Sequence, residues 1–254
     1  MSEAWNIVAA DADRYLQACR EFVEDDEKFA GFKQDQRYKV ILEHVSAWEA
    51  TVFMSEMKNL ADVVQEEVDE FRENDSVGGA LVEEFRFFGA MSPSTVRYIK
   101  NTLDIADFLG DEELSTVVEI GGGYGGMCKT LSVMFDFDNY FMADLPDPLA
   151  LAMKYLSHFP SVADKAKPWE ESVDDIDLVI STYAFSECSI DVQLEYYEKV
   201  LKKAKRFYMV YNNICQGNLN SEAFIKLASK DFKVTYTPEV RPSFTNYVIY
   251  GTKL

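Results

Sequence analysis

Glu119-Ile120-Gly121-Gly122-Gly123-Tyr124-Gly125-Gly126 is the stretch from which the fold can be read. It continues a short β-branched run, Ser115-Thr116-Val117-Val118-Glu119-Ile120, and leads into a helical segment from Met127 to Phe135. A strand, a glycine turn and a helix in that order open an α/β unit. Glycine tolerates tight backbone geometry and lets a ligand come close. The turn can therefore offer backbone N–H donors at the C-terminal edge of a parallel sheet.

Downstream, strand and helix alternate. A second run, Tyr140 to Ala143, ends at Asp144, after which Asp147 and Pro148 can start a helix carrying Leu149, Met153 and Leu156. A third strand is expected near Ser161 to Ala166 and a fourth at Asp177 to Thr182. A fifth at Arg206 to Tyr211 follows the amphipathic helix Val192 to Leu201. After a helix from Asn220 to Ser229, the extended runs Phe232 to Thr237 and Phe244 to Tyr250 flank Pro238, Arg241 and Pro242, which suggests an antiparallel edge. The expected fold class is α/β: a doubly wound, mostly parallel seven-stranded sheet with an N-terminal helical cap.

The cap is read from the residues upstream, where the apolar spacing is helical throughout. Tyr15, Cys19 and Phe22 share one face, Ile41, Val45, Trp48 and Val52 a second, and Leu60, Val64, Val68 and Phe71 a third. A break at Asn74 to Gly79 and the aromatic segment Phe85 to Gly89 precede a marked helix start. There Ser92 is the N-cap and Pro93 the first helical residue, and the helix should run towards Leu109. Residues 1–112 are thus expected to form a helical cap and substrate-binding region, and residues 113–254 a cofactor-binding domain.

Composition narrows the function. With 44 Asp and Glu against 25 Lys and Arg, the formal net charge of the 254 residues is -19, which argues against a phosphate backbone as partner. An apolar content of 48% suffices for a real core and excludes disorder as the main state. No long uncharged apolar run appears, and Met1 to Ala10 lacks the basic-then-apolar order of a secretory signal, so the expected address is the cytoplasm, with no membrane partner. Cys19, Cys128, Cys188 and Cys215 lie far apart, which removes disulfide and zinc-ribbon readings, and the carboxylates show no compact metal-ligand spacing.

Gly121, Gly123 and Gly126, with Asp144 about twenty residues on, fit a dinucleotide fingerprint. Glu119 two positions before the first glycine, and the acidic-x-G-x-G-x-G pattern through Gly121, Gly123 and Gly125 after a long helical segment, favour S-adenosylmethionine instead. The chain resembles the class I S-adenosylmethionine-dependent methyltransferases, and within them the provisionally named sugar O-methyltransferase family. The stretches that carry the resemblance are Tyr38 to Trp48, Ser92 to Tyr98, Val118 to Gly126, Asp144-Leu145-Pro146 and Ser181 to Glu187.

That resemblance implies that Gly121, Gly123 and Gly125 surround the methionine portion, that Glu119 organises the loop, and that Asp144 accepts hydrogen bonds from the ribose hydroxyls. Thr182 should border the same cofactor, and a residue between Asp164 and Trp169 its adenine. On the acceptor side, methylation of a hydroxyl needs a base. Glu187, at the end of the fourth strand, is the first candidate and His158 the second, whereas His44 reads as surface or structural. Arg97, Tyr98, Tyr124, Tyr183, Ser186, Asn212 and Asn213 are candidate acceptor contacts, with donors, acceptors and aromatic faces suited to a saccharide, nucleotide-sugar or glycan. Another small hydroxylated or carboxylated metabolite, an NAD-dependent oxidoreductase and a non-catalytic binding protein stay open as alternatives, as does a homo-oligomer.

Overall fold

Seven strands form the central sheet: β1 (Thr116–Ile120), β2 (Asn139–Ala143), β3 (Ala166–Pro168), β4 (Ile176–Thr182), β5 (Ala204–Tyr211), β6 (Phe232–Glu239) and β7 (Asn246–Lys253). The structure is a computed structural model and describes residues 9–57, 60–215, 217–239 and 246–254. The expectations placed on Met1 to Val8, on Arg241 and Pro242, and on the first two residues of the Phe244 to Tyr250 run lie outside the described residues. The strand order is β3-β2-β1-β4-β5-β7-β6, parallel except for β7, which runs antiparallel to both β5 and β6. β4 is covered on both faces and buries every residue from Ile176 to Ser181, so it reads as a run rather than an alternation.

The third strand departs from expectation. Residues 161–165 form turns, and pairing with β2 begins only at Ala166. This short edge strand has no apolar alternation to announce it, and it ends on Pro168, which an edge tolerates.

The N-terminal part is built from α1 (Ala9–Glu24), α2 (Ala47–Glu56), α3 (Gln65–Arg72) and α4 (Pro93–Leu109). α4 starts as its sequence dictates, with Ser92 Oγ accepting from Thr95 N at 3.1 Å and Pro93 in the first turn. The expected face through Ile41, Val45, Trp48 and Val52 does not form. A capping box between Ser46 and Glu49 starts α2 at Ala47, so Val45 is buried ahead of the helix and Trp48 is 58% exposed. The cap is also not purely helical, because Glu83–Phe85 pairs with Gly89–Met91 in an antiparallel ribbon whose turn is the aromatic segment.

The remaining helices alternate with the strands: α5 (Gly126–Met134), α6 (Pro146–Leu156), α7 (Ala184–Glu187), α8 (Ile190–Lys199) and α9 (Ser221–Ala228). Tyr15, Phe22, Phe32 and Tyr38 of the cap share one apolar cluster with Val117, Leu131, Leu178 and Val248 of the sheet and its helices. A second cluster, on the other face, holds Phe185, Tyr197, Phe207 and Phe224. Polar contacts also fasten the cap to the sheet unit. The buried Asn74 donates to Thr95 Oγ1 (2.7 Å) and Tyr124 Oη (3.1 Å), and its Oδ1 accepts from Tyr155 Oη (2.7 Å). Lys154 on α6 donates to the carbonyls of Phe22 and Val23 at the end of α1, at 3.1 and 3.0 Å. A cation there suits the negative end of the helix dipole.

Candidate functional site

The loops after β1 and β2 lie side by side because Gly121 N donates to Ala143 O at 2.9 Å. Asp144 then bridges them: Oδ2 accepts from Gly123 N at 3.1 Å and Oδ1 from Leu145 N at 2.7 Å. Burial pushes the Asp144 carboxyl up to about 6, against the backbone N–H bonds that favour its charge. Gly123 and Gly125 carry φ of +56° and +92°, a region that other residues enter only with strain, and a side chain at Gly125 would meet Leu156 Cγ at 2.8 Å. Glu119 lies beneath this loop, 1% exposed, where Tyr140 Oη donates to its Oε2 at 2.8 Å. Burial raises the Glu119 carboxyl to about 8.

The opposite side of the edge is formed after β4 and β5. Ser181 Oγ donates to Ile120 O at 2.9 Å and accepts from Phe185 N at 3.0 Å, tying this side to the glycine loop. Thr182 is the last residue of β4, half-buried. Tyr183 follows at φ +73°, uncommon for a residue with a side chain and frequent at functional sites. From there Tyr183 Oη donates to Glu239 at 2.5 Å. Ser186 Oγ donates to Tyr183 O (2.6 Å) and accepts from Asn212 N (3.1 Å). Glu187 Oε1 accepts from Asn212 Nδ2 at 2.6 Å, and burial raises the Glu187 carboxyl while this bond lowers it.

Two amide oxygens beside this pair, Asn212 Oδ1 and Asn218 Oδ1, are buried without a hydrogen-bond partner among the described residues. Asn218, whose Nδ2 donates to Ser186 O at 3.1 Å, did not stand out in the sequence. Its one signal there was its place in the loop that begins at Asn212. Asn213 takes a different role: it is exposed and brackets the start of α9 through Ser221 N (2.8 Å) and Ser221 Oγ (3.1 Å).

Arg97 is 5% exposed, its guanidinium lying 5.6 and 5.7 Å from the ring centres of Tyr98 and Tyr183, with Nη2 3.4 Å from Leu42 O. Asp104, on the same helix, pairs with Lys100 at 2.5 Å. Tyr98 is buried edge-on to Tyr124, and burial pushes its hydroxyl up to about 12.

Several expected contacts are not brought together with these groups. Tyr124 is fully buried among Phe32, Tyr98 and Tyr155, so its place in the glycine motif is a core position and not an acceptor contact. His158 follows the C-terminal end of α6, 14 positions after Asp144, where it is exposed and stacked on Phe29 with ring centres 5.4 Å apart. A helix that follows a parallel strand runs back along the sheet, so it carries His158 away from the glycine loop. Asp164 likewise precedes β3 at the far edge, whereas Trp169 follows β3 at the same edge as the glycine loop, with a buried Nε1 that has no partner among the described residues. His44 is exposed. Among the described residues no group of three or more His, Cys, Asp or Glu is arranged to hold a metal ion, and no helix is long and apolar enough to cross a membrane.

Known proteins place this arrangement. The chain is similar to magnesium protoporphyrin IX methyltransferase (ChlM) from Synechocystis PCC 6803, solved with bound S-adenosylmethionine. The identity is 10% over 80% of this chain and 97% of that one, with a TM-score of 0.53. It is also similar to PH1948, a provisionally named RNA methyltransferase from Pyrococcus horikoshii, at 16% identity over 76% and 98% of the two chains and a TM-score of 0.50. No family model matches the sequence, and no curated protein does. The fold is that of the class I S-adenosylmethionine-dependent methyltransferases, and nothing in these likenesses singles out the sugar subgroup.

The exclusion of nucleic acid drawn from net charge does not stand. A protein of the same fold is described as an RNA methyltransferase. Net charge averages over the whole surface and leaves the potential at one edge of the sheet undetermined.

Proposed function

We propose that the protein is an S-adenosylmethionine-dependent O-methyltransferase whose acceptor oxygen is a sugar hydroxyl. The observation that carries this reading is the Glu187–Asn212 pair: a half-buried carboxylate held at 2.6 Å beside an amide oxygen that lacks a donor among the described residues. A polyhydroxylated acceptor supplies both needs, one hydroxyl giving its proton to Glu187 and a neighbouring hydroxyl donating to Asn212 Oδ1.

The residues across the edge suit the methyl donor. The glycine loop lets the ligand approach the backbone, Asp144 keeps acceptor capacity for ribose hydroxyls beyond its two backbone bonds, and the unpartnered indole N–H of Trp169 lies where an adenine nitrogen can accept it. Bound S-adenosylmethionine supplies an electrophilic methyl group. Glu187 removes the acceptor proton, Tyr183 and Ser186 fix the acceptor's orientation, and Arg97 with Tyr98 forms the wall on the side of the cap. Residues 1–112 act in this reading as the acceptor-side cover and residues 113–254 as the donor-binding part.

Calorimetry with S-adenosylhomocysteine and with NAD tests the donor: binding of NAD alone refutes the assignment. Transfer of a labelled methyl group to a panel of saccharides, other hydroxylated or carboxylated metabolites and RNA tests the acceptor. Label appearing outside the saccharides and nowhere among them refutes the sugar.

A further inference from the structure

A concavity lies outside the glycine loop and shares no residue with it. It is a cleft of about 500 Å³ between α2, α4 and the β6–β7 hairpin. That volume is in the range of small-molecule sites. Four carboxylates line it, Glu56 from α2, Asp104 and Asp107 from α4 and Glu239 from β6, against one ammonium, Lys100. Lys100 is already committed to Asp104 at 2.5 Å, and Asp104 also accepts from Tyr208 Oη at 3.1 Å. Among the described residues Glu239 receives neutral hydrogen bonds, from Tyr183 Oη and from Asn246 Nδ2 at 2.7 Å. Among the described residues neither Glu56 nor Glu239 forms an ion pair, and the lining holds four carboxylates against one ammonium, with the Arg97 guanidinium outside it acting on Glu239.

The rest of the wall is apolar and aromatic. Phe53 comes from α2, and Phe108 packs against Tyr250 with ring centres 5.2 Å apart. Carboxylates contributed by three separate elements around aromatic faces suit a ligand with several ammonium groups spaced by methylene chains. The charges meet the carboxylates, while the stem and the cations lie against the rings.

We propose that this cleft binds an aliphatic oligoamine. The occupant is a ligand distinct from the methyl donor, and its site reaches the proposed acceptor loop through the Glu239–Tyr183 bond.

The test is a calorimetric titration of the full chain with spermidine at low ionic strength, with putrescine as the shorter probe. Glu56→Gln combined with Asp107→Asn removes two exposed carboxylates of the cleft and leaves the buried Lys100–Asp104 pair intact. Glu195→Gln combined with Glu198→Gln makes the same change in net charge on α8, across the sheet. The expected result is saturable one-to-one binding that weakens about tenfold in the cleft variant and is unchanged in the α8 variant. Absence of saturable binding, equal weakening in both variants, or no weakening in the cleft variant overturns the proposal. S-adenosylhomocysteine affinity, read on the same samples, reports the donor site separately and is expected to be the same in all three proteins.

Discussion

Asn212 donates to Glu187 across the gap between the loops that follow β5 and β4, Nδ2 to Oε1 at 2.6 Å. This bond favours the charged carboxylate, whereas burial of Glu187 favours the neutral acid. The balance leaves a carboxyl raised above its usual range, which suits a base that must hold a proton briefly and release it. Glu187→Gln is expected to lower kcat on the order of a hundredfold and to abolish the rising limb of the pH–rate profile. Asn212→Ala removes the contact that lowers the Glu187 carboxyl, so the same limb should move to higher pH. An unchanged profile in Glu187→Gln would show that another group takes the proton.

Asp144 holds the glycine loop through the N–H of Gly123 and its own loop through that of Leu145, and only its carboxylate form accepts from both without donating. Asp144→Asn should weaken S-adenosylhomocysteine binding about tenfold or more, the usual effect of losing a charged hydrogen bond. Since burial raises this carboxyl to about 6, affinity in the wild type should fall as the pH drops through that value and stay flat above it. Calorimetry at pH 5 to 8 reads both effects.

Glu119 titrates in the opposite direction for stability. Its folded value of about 8 stands above the ordinary 4.5, so the folded chain holds this proton more tightly than the unfolded chain does. Its contribution is full below about 4.5, declines as the pH rises towards 8, and is flat beyond, with a slope approaching about 1.4 kcal/mol per pH unit. Glu119→Gln should therefore gain stability relative to wild type across that window. Urea denaturation at pH 5, 7 and 9 tests the sign: a variant whose deficit is constant with pH contradicts it.

Gly125→Ala combines a left-handed backbone with a methyl group 2.8 Å from Leu156 Cγ. The expected loss is about 2–4 kcal/mol, from strain plus overpacking. It should appear as a lower denaturation midpoint with an unchanged urea slope, and Leu156→Ala in the same chain should recover part of the steric component.

Much of this was legible in the residues because local and global signals agree. The run from Ser115 to Ile120, its glycines and the cap at Ser92 each have one structural solution, and all three appear where the sequence puts them. The misread parts failed for physical reasons. β3 is a short edge strand with no alternation. The face through Ile41 and Trp48 was interrupted by a capping box whose two residues lie within the apparent helical period.

Within the site, the spacing of Asp144 after the glycines and of Glu187 after β4 carried over. Tyr124 did not, because nothing in a glycine-rich loop reveals which way its one large side chain turns. His158 was attractive for its chemistry alone, and its distance along α6 moved it to the far edge. Asn218 and the pairing of Asn212 with Glu187 depend on two loops meeting in space, which no single segment encodes.

The bond from Lys154 to the end of α1 has a consequence for how the chain comes to be folded. α1 is made well before α6, and its C-terminal carbonyls wait for an ammonium 131 and 132 positions later. Until α6 has been made, α1 lacks that cation, and only nearby residues such as Phe32 and Tyr38 meet its buried face, at Tyr15 and Phe22. Closing so long a loop late makes the docking of α1 on α6 a slow step, and until then part of its apolar face stays open to chaperones and to other chains.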